Sequence, residues 1–186
     1  MSSESFNKPS RKVWIFAGET SGDMYGAELA RELQSLDPGL TIQGMGSSCM
    51  ADAGVDIMVD STELGVVGYV EVLKQYPLFR KIFNDLVARA ERDRPDVVVL
   101  IDYPGFNLRF AEQMHARGIK VVYYISPTVW AWGKRRKPKL AEFCRHMLVI
   151  FPFEADVYDD VDLKTTFVGH PLVHILRREA PPADRD

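Results

Sequence analysis

The sequence has no long apolar run and little cysteine. None of its apolar stretches reaches the roughly 18 residues that a membrane-spanning helix needs, and residues 1–10 are polar. The two cysteines, Cys49 and Cys144, lie far apart, so they form no metal-ligand cluster and are typical of a reducing compartment. A net charge of −3 over 186 residues does not favour nucleic acid as a partner.

Several common catalytic patterns are also missing. Gly18, Gly22 and Gly26 are spaced four residues apart, unlike the G-x-G-x-x-G of dinucleotide-binding proteins, and no Gly-Lys-Ser/Thr phosphate loop follows. There is no Gly-x-Ser-x-Gly nucleophile turn. His170 and His174 are four apart, but Pro171 intervenes and no carboxylate partner is evident. We therefore expect neither a metal site nor a bound cofactor.

Strand-like and helix-like segments alternate along the chain, which predicts a Rossmann-like, doubly wound, mostly parallel sheet with helices on both faces. We expect a flexible N-terminus at 1–10, one α/β domain at 11–177, and a linker or cut end at the Pro-rich 178–186. The predicted strands are 12–17, 41–44, 56–59, 97–101, 120–125, 146–151 and 165–168. The predicted helices are 21–35, 47–53, 69–92 with a break or restart at Pro77, 108–116, 137–144 and 154–160.

The most apolar short run, Val97–Ile101, is followed at once by Asp102. A continuous β-branched run is typical of a strand buried on both faces of a parallel sheet, and such sheets bind ligands beyond the carboxyl ends of their strands. A charge there is costly unless it is paired or used. Asp102 is thus the first candidate for chemistry, with residues 103–107, including Asn107, as the wall of a site.

Three further loops should share that edge of the sheet: Gly18–Asp23, 44–48 and 126–134. In the first, glycines permit close backbone approach and a helix N-terminus offers free amides to an anion. The alternative, left open here, is a plain turn in which Thr20 or Ser21 caps the helix and Asp23 favours its dipole. The candidate binding residues are Gly18, Glu19, Ser21, Gly22 and Asp23.

The loop after the fifth strand begins at Ser126 and contains Trp130 and Trp132. These tryptophans could stack on a sugar or cover an acyl chain, although core packing is the more ordinary role of such rings. Five basic residues follow within Lys134–Lys139, among them Arg135 and Arg136. They are either a solvated face or a site for phosphate or anionic lipid headgroups.

The segment 64–83 carries more large apolar residues than one helix stripe needs. It is either a core-facing helix or an exposed patch suited to a membrane surface or an acyl chain, and the two readings are evenly balanced. The candidate patch consists of Val66, Val67, Val70, Leu73, Leu78 and Phe79.

Six motifs, in order, closely resemble the lipid-A-disaccharide synthase family: AGETSGD, ELGVVGYVEVL, IDYPGFN, SPTVWAW, FPFE and FVGHP. The resemblance implies the N-terminal domain of a two-domain GT-B fold and an inverting glycosyltransferase that needs no catalytic metal. Such enzymes join UDP-2,3-diacylglucosamine to 2,3-diacylglucosamine 1-phosphate (lipid X) through a β-1,6 bond and release UDP. The resemblance also implies that Asp102 is the base for the acceptor hydroxyl, and that the protein is cytoplasmic and peripheral on the inner membrane of a Gram-negative bacterium.

Members of that family are about twice as long as this chain. We therefore expect the N-terminal, acceptor-side half, inefficient in transfer alone, with a complementing C-terminal domain and an anionic membrane surface as possible partners. A non-catalytic lipid-binding or membrane-docking domain is the alternative, and it would not need Asp102. A nucleotide-binding oxidoreductase is a third reading, against which the glycine spacing argues.

Overall fold

The computed structural model describes residues 11–63, 69–129 and 134–179, and the side chains within 11–62, 77–129 and 135–177. Seven strands form one sheet in the order β3-β2-β1-β4-β5-β6-β7, and every neighbouring pair is parallel. The strands are β1 Lys12–Ala17, β2 Thr41–Gly46, β3 Asp56–Asp60, β4 Val97–Ile101, β5 Lys120–Tyr124, β6 His146–Val149 and β7 Thr165–Phe167. The helices are α1 Thr20–Leu36, α2 Ser48–Asp52, α3 Tyr69–Asp93, α4 Pro104–His115, α5 Lys137–Phe143 and α6 Pro171–Glu179. This confirms the predicted doubly wound α/β fold.

Two apolar cores lie on the two faces of the sheet. Successive strand side chains point to opposite faces, so Trp14 and Phe16 of β1 join the core under α3, α4 and α5. Ile15, between them, joins the core under α1, α2 and α6. β1 and β4 lie in the middle of the sheet and are buried almost throughout, because helices cover both of their faces.

The structure corrects several predicted boundaries. α4 begins at Pro104, four residues earlier than expected, because proline fits the first turn of a helix, where no backbone N–H is needed. α3 continues through Pro77 without the predicted break, as Phe83 and Phe79 of the following turns pack on Phe106 at ring-centroid distances of 5.3 and 5.5 Å. The predicted helix 154–160 is instead two short 3-10 turns, Pro152–Glu154 and Asp156–Tyr158.

Other differences lie at the ends of elements. α6 was not predicted, since its proline at the start reads as a breaker in isolation. β6 ends at Val149, two residues before the predicted end. Among the described residues no helix is both long enough and apolar enough to cross a membrane.

Candidate functional site

The carboxyl ends of β1 and β4 lie side by side in the middle of the sheet, and we call the space beyond them the crevice. β1 pairs with β2 on one side and with β4 on the other. The chain leaves β1 into α1 on one face and leaves β4 into α4 on the opposite face, so the two connections diverge. Ligands of doubly wound sheets bind at this point of divergence. Asp102 is the first residue beyond β4 and lies half-buried in the crevice.

The backbone at Asp102 is strained. Asp102 and Tyr103 have φ angles of 44° and 47°, in the left-handed region that side chains other than glycine avoid. Ile125, beyond the neighbouring β5, has a φ of 66°, which is rarer still for a β-branched residue. Strained residues persist where surrounding contacts enforce them, and they cluster at functional sites. The strain here lies at the same edge of the sheet as the predicted loops.

Four hydrogen bonds enforce the turn at Asp102. Its backbone N–H donates to the Tyr124 carbonyl at 3.0 Å. Its own carbonyl accepts from Asn107 Nδ2 at 2.7 Å and from the Tyr123 hydroxyl at 2.6 Å. Asn107 Nδ2 also donates to the Ile101 carbonyl at 3.1 Å. The predicted wall residue Asn107 is fully buried, and its amide faces the backbone that carries Asp102.

The surroundings of Asp102 increase its affinity for a proton. Burial raises the pKa of its carboxyl group, and the negative charge of Glu19 raises it further, while the Tyr103 backbone N–H partly opposes both. The same proximity acts on its neighbours: burial and the charge of Asp102 raise the pKa of Tyr25, and burial and Glu19 raise that of Tyr103. A carboxylate with a raised pKa is a stronger general base at neutral pH.

The loop Gly18–Asp23 packs closely against this turn. A Cβ atom on Gly18 would lie 2.3 Å from the Tyr103 ring, and one on Gly22 would lie 3.3 Å from the Ala17 Cβ. Glycine at position 18 is therefore required for the approach of the two loops. The side chains of Glu19 and Ser21 are exposed at the rim. The alternative of a cap by Thr20 or Ser21 does not hold, because Glu19 is the N-cap residue and α1 has no side-chain cap hydrogen bond.

Asp23 is buried and connects two elements. One carboxylate oxygen accepts from the backbone N–H of Ser47 at 2.6 Å and of Met50 at 3.3 Å, and the other accepts from Cys49 at 3.0 Å. Both oxygens thus satisfy free amides at the start of α2. Substrate contact by Asp23 stays a prediction, whereas its hydrogen bonds fix the β2–α2 loop at the rim.

Ser126 is also buried and already bonded. Its hydroxyl donates to the Pro127 carbonyl at 2.9 Å and lies 2.6 Å from the Tyr158 hydroxyl. Burial raises the pKa of Tyr158 to about 12. Arg135 and Arg136 are exposed in a 3-10 turn, Lys134–Arg136, whereas Trp130 and Trp132 lie outside the described residues. Sugar, phosphate and lipid contacts by these residues remain predictions.

The predicted apolar patch is only partly described. Val66 and Val67 lie outside the described residues, and for Val70 and Leu73 only the backbone, in α3, is described. Leu78 is 46% exposed. Phe79 is half-buried and packs on the core through Phe106. Of the candidates whose side chains are described, Leu78 fits the exposed reading and Phe79 fits the core-facing one.

Sequence reasoning missed two features of this edge. One is Tyr123, whose hydroxyl reaches the Asp102 backbone, although adjacent tyrosines at the end of a buried strand were a visible signal. The other is a set of exposed apolar side chains after β6, at the end of β7 and in α6. Its members are Phe151, Phe153, Phe167, Val168, Val173 and Leu176. The described part of the chain contains no cluster of three or more His, Cys, Asp or Glu that could hold a metal ion.

The chain matches one known protein family and its curated members. The model of a family described as lipid-A-disaccharide synthetase matches residues 13–185. A protein named lipid-A-disaccharide synthase from Coxiella burnetii is 44% identical over 164 residues, 88% of this chain and 44% of that protein. One of the same name from Koribacter versatilis is 47% identical over 162 residues, 87% of this chain and 42% of that protein. The chain thus spans a little under half the length of these curated relatives.

Two solved structures share the fold at low identity. The UDP-GlcNAc 2-epimerase of Neisseria meningitidis, bound to UDP-GlcNAc, superposes with a TM-score of 0.65 at 12% identity, covering 89% of this chain and 48% of the epimerase. The S. aureus MnaA–UDP structure superposes with a TM-score of 0.63 at 7% identity, covering 95% of this chain and 48% of that one. At such identities the likeness shows the fold alone.

Proposed function

Since the chain belongs to the lipid-A-disaccharide synthetase family, we propose that it supplies the acceptor-activating part of that reaction. The substrates are UDP-2,3-diacylglucosamine and 2,3-diacylglucosamine 1-phosphate, and the products are the β-1,6-linked disaccharide and UDP. The acceptor's 6-hydroxyl loses its proton to the Asp102 carboxylate as its oxygen attacks the anomeric carbon of the donor. The bond from that carbon to the UDP oxygen breaks, with inversion.

The position and environment of Asp102 carry this proposal. A single displacement with inversion needs a base on the attacking hydroxyl, within hydrogen-bond reach of it. Asp102 lies in the crevice at the end of β4, where a ligand of a doubly wound sheet would bind. Burial and Glu19 raise the pKa of its carboxyl group, which strengthens it as a base.

The remaining site residues bind the lipid substrates in this proposal. Exposed Glu19 and Ser21 at the rim contact the acceptor sugar, while Arg135 and Arg136, also exposed, bind its 1-phosphate or anionic headgroups. Leu78 belongs to a surface that shelters acyl chains at the cytoplasmic face of the inner membrane. Its 46% exposure supports this, because an exposed leucine on an amphipathic helix is suited to an apolar interface.

A complementing C-terminal domain completes the donor site. This part of the proposal rests on the chain's coverage of only 42% to 45% of its curated relatives. The exposed apolar side chains after β6 and at the end of β7, such as Phe151, Phe153 and Phe167, lie at the edge of the sheet that such a domain would share. Their exposure supports a partner of mixed, largely apolar surface at that edge.

A transfer assay tests the role of Asp102. UDP-2,3-diacylglucosamine and radiolabelled lipid X are supplied in mixed micelles to the chain, alone and mixed with the remaining half of the Coxiella burnetii relative. We expect efficient disaccharide formation only in the mixture. Asp102→Asn should lower that rate by about 10²- to 10⁴-fold, the usual contribution of a positioned base.

Asp96→Asn is the matched control at the opposite end of β4. Asp96 accepts a hydrogen bond from the Lys12 backbone N–H at 2.8 Å, away from the crevice, so its variant should transfer at a rate within about twofold of the unchanged chain. Unchanged transfer by Asp102→Asn would contradict the assignment of the base. If the chain binds lipid vesicles but transfers no sugar, either alone or in the mixture, the lipid-binding alternative would be favoured.

A further inference from the structure

Two side chains, one close in sequence and one distant, converge on one backbone carbonyl. The Asp102 carbonyl oxygen accepts from the Tyr123 hydroxyl at 2.6 Å, across 21 residues, and from Asn107 Nδ2 at 2.7 Å. Asn107 Nδ2 is shared with the Ile101 carbonyl at 3.1 Å. The last residue of β4 and the first residue beyond it are therefore held by the same amide group.

These bonds act where two consecutive residues have left-handed backbone angles. Two consecutive residues with positive φ, Asp102 and Tyr103, reverse the chain between the end of β4 and the start of α4. Tyrosine in this conformation is uncommon, so the turn needs contacts that hold it. Tyr123 and Asn107 donate to the carbonyl between the two strained residues, so both donors act where the chain reverses.

We propose that Tyr123 and Asn107 are positioning residues that hold the strained Asp102–Tyr103 turn and thereby present the Asp102 carboxylate to the crevice. Without them, the turn relaxes to ordinary dihedral angles and the carboxylate moves towards solvent. Only the catalytic consequence, the presentation of a base to the acceptor hydroxyl, rests on the proposed function. The effect of Tyr123 and Asn107 on the turn does not depend on it.

Tyr123 is suited to this role because it keeps its proton. Burial raises the pKa of its hydroxyl group well above the ordinary value, and the charge of Asp102 raises it further. The hydroxyl therefore stays a donor at every pH at which the protein is studied. Asn107 is fully buried and uncharged at all pH values, so both donors are permanent.

The test uses Tyr123→Phe, which removes only the hydroxyl oxygen. Its matched control is Tyr124→Phe, on the same strand, since no hydrogen bond of the Tyr124 hydroxyl is found within the described part of the chain. Two quantities are measured by NMR on the 186-residue chain: the pKa of Asp102 from its carboxyl ¹³C shift, and the Asp102 backbone conformation from its Cα and Cβ shifts.

In Tyr123→Phe we expect the pKa of Asp102 to fall towards the ordinary aspartate value and its backbone shifts to leave the left-handed range. Asn107→Ser should act in the same direction, while Tyr124→Phe should leave both quantities unchanged. If Tyr123 contributed to stability alone, Tyr123→Phe would lower the melting temperature but leave the Asp102 pKa and backbone shifts unchanged. Unchanged Asp102 titration and shifts in a folded Tyr123→Phe variant would overturn the inference.

A measurement on the unsubstituted chain covers the case in which neither variant folds. A tyrosine hydroxyl proton held in a 2.6 Å bond to a carbonyl should exchange slowly and give a separate downfield resonance that shifts as Asp102 titrates. Absence of that resonance would refute the inference. This result does not depend on the transfer assay. The transfer assay can show that Asp102 is not the base even when the Tyr123 hydroxyl bond is present.

Discussion

We expect Asp23→Asn to destabilise the chain by about 2 to 3 kcal/mol. Asp23 is 3% exposed and accepts from three backbone amides, at 2.6, 3.0 and 3.3 Å. Asparagine keeps one oxygen but presents an NH₂ group to the amide on the other side. The variant thus loses at least one bond to a charged acceptor, worth about 1.5 to 3 kcal/mol, and leaves a buried N–H without a partner.

Two measurements report the effect of Asp23→Asn. Equilibrium unfolding in urea gives the loss in the free energy of unfolding. The reactivity of Cys49 towards iodoacetamide reports on the loop itself, because burial raises the pKa of its thiol and the charge of Asp23 and a hydrogen bond to it raise that pKa further. Removing the charge should lower the Cys49 pKa and speed alkylation near pH 8. Cys144 contributes little, since burial raises the pKa of its thiol to about 12.

The matched control is Asp52→Asn, in the same helix as Cys49. Asp52 is exposed, and its charge is the last of the causes that raise the Cys49 pKa. We expect its variant to change the free energy of unfolding by less than about 0.5 kcal/mol. If Asp23→Asn unfolds at the same urea concentration as the unchanged chain and leaves Cys49 reactivity as it was, the assignment of Asp23 to the β2–α2 loop is refuted.

Two further predictions concern the crevice. Gly18→Ala should cost about 1 to 3 kcal/mol in urea unfolding, because its Cβ would lie 2.3 Å from the Tyr103 ring, whereas Gly105→Ala meets nothing within 4 Å and should cost nothing. An equal effect of both would contradict this. Folding raises the Asp102 pKa, so the stability linked to its proton is present at low pH and is lost as pH rises through the raised value. Asp102→Asn should therefore be more stable than the unchanged chain at pH 7.5 and no more stable near pH 3; a less stable variant at pH 7.5 would refute this.

The position of Asp102 was predictable because its signal is local. An apolar run that ends in a carboxylate identifies both the buried strand and the edge at which the charge lies. The start of α4 at Pro104 was not predictable in the same way. It depends on two residues with positive φ, and these are held by Asn107 and by Tyr123 from the next strand. The motif IDYPGFN contains Asn107 but not Tyr123, so the motif alone does not reveal the contact made by Tyr123.

The role of Asp23 and the orientation of the patch depend on tertiary partners. The carboxylate of Asp23 bonds to amides 24 to 27 residues later, so its own helix does not reveal what it does. Phe79 packs inwards on the ring of Phe106 of α4, whereas Leu78 is 46% exposed. Hydropathy alone assigned both to one surface, because the two side chains are equally apolar.

The strand order also has a consequence for synthesis on the ribosome. One edge of β1 pairs with β2, which follows closely, but its other edge pairs with β4, which is complete only at Ile101. At 5 to 20 residues per second, the 55 residues from Gly46 to Ile101 take roughly 3 to 11 s to be made. During that interval the nascent chain carries an open, strongly apolar strand edge, which is prone to non-native pairing. The edge of β1 that pairs with β4 therefore stays open to such pairing until Ile101 has been made.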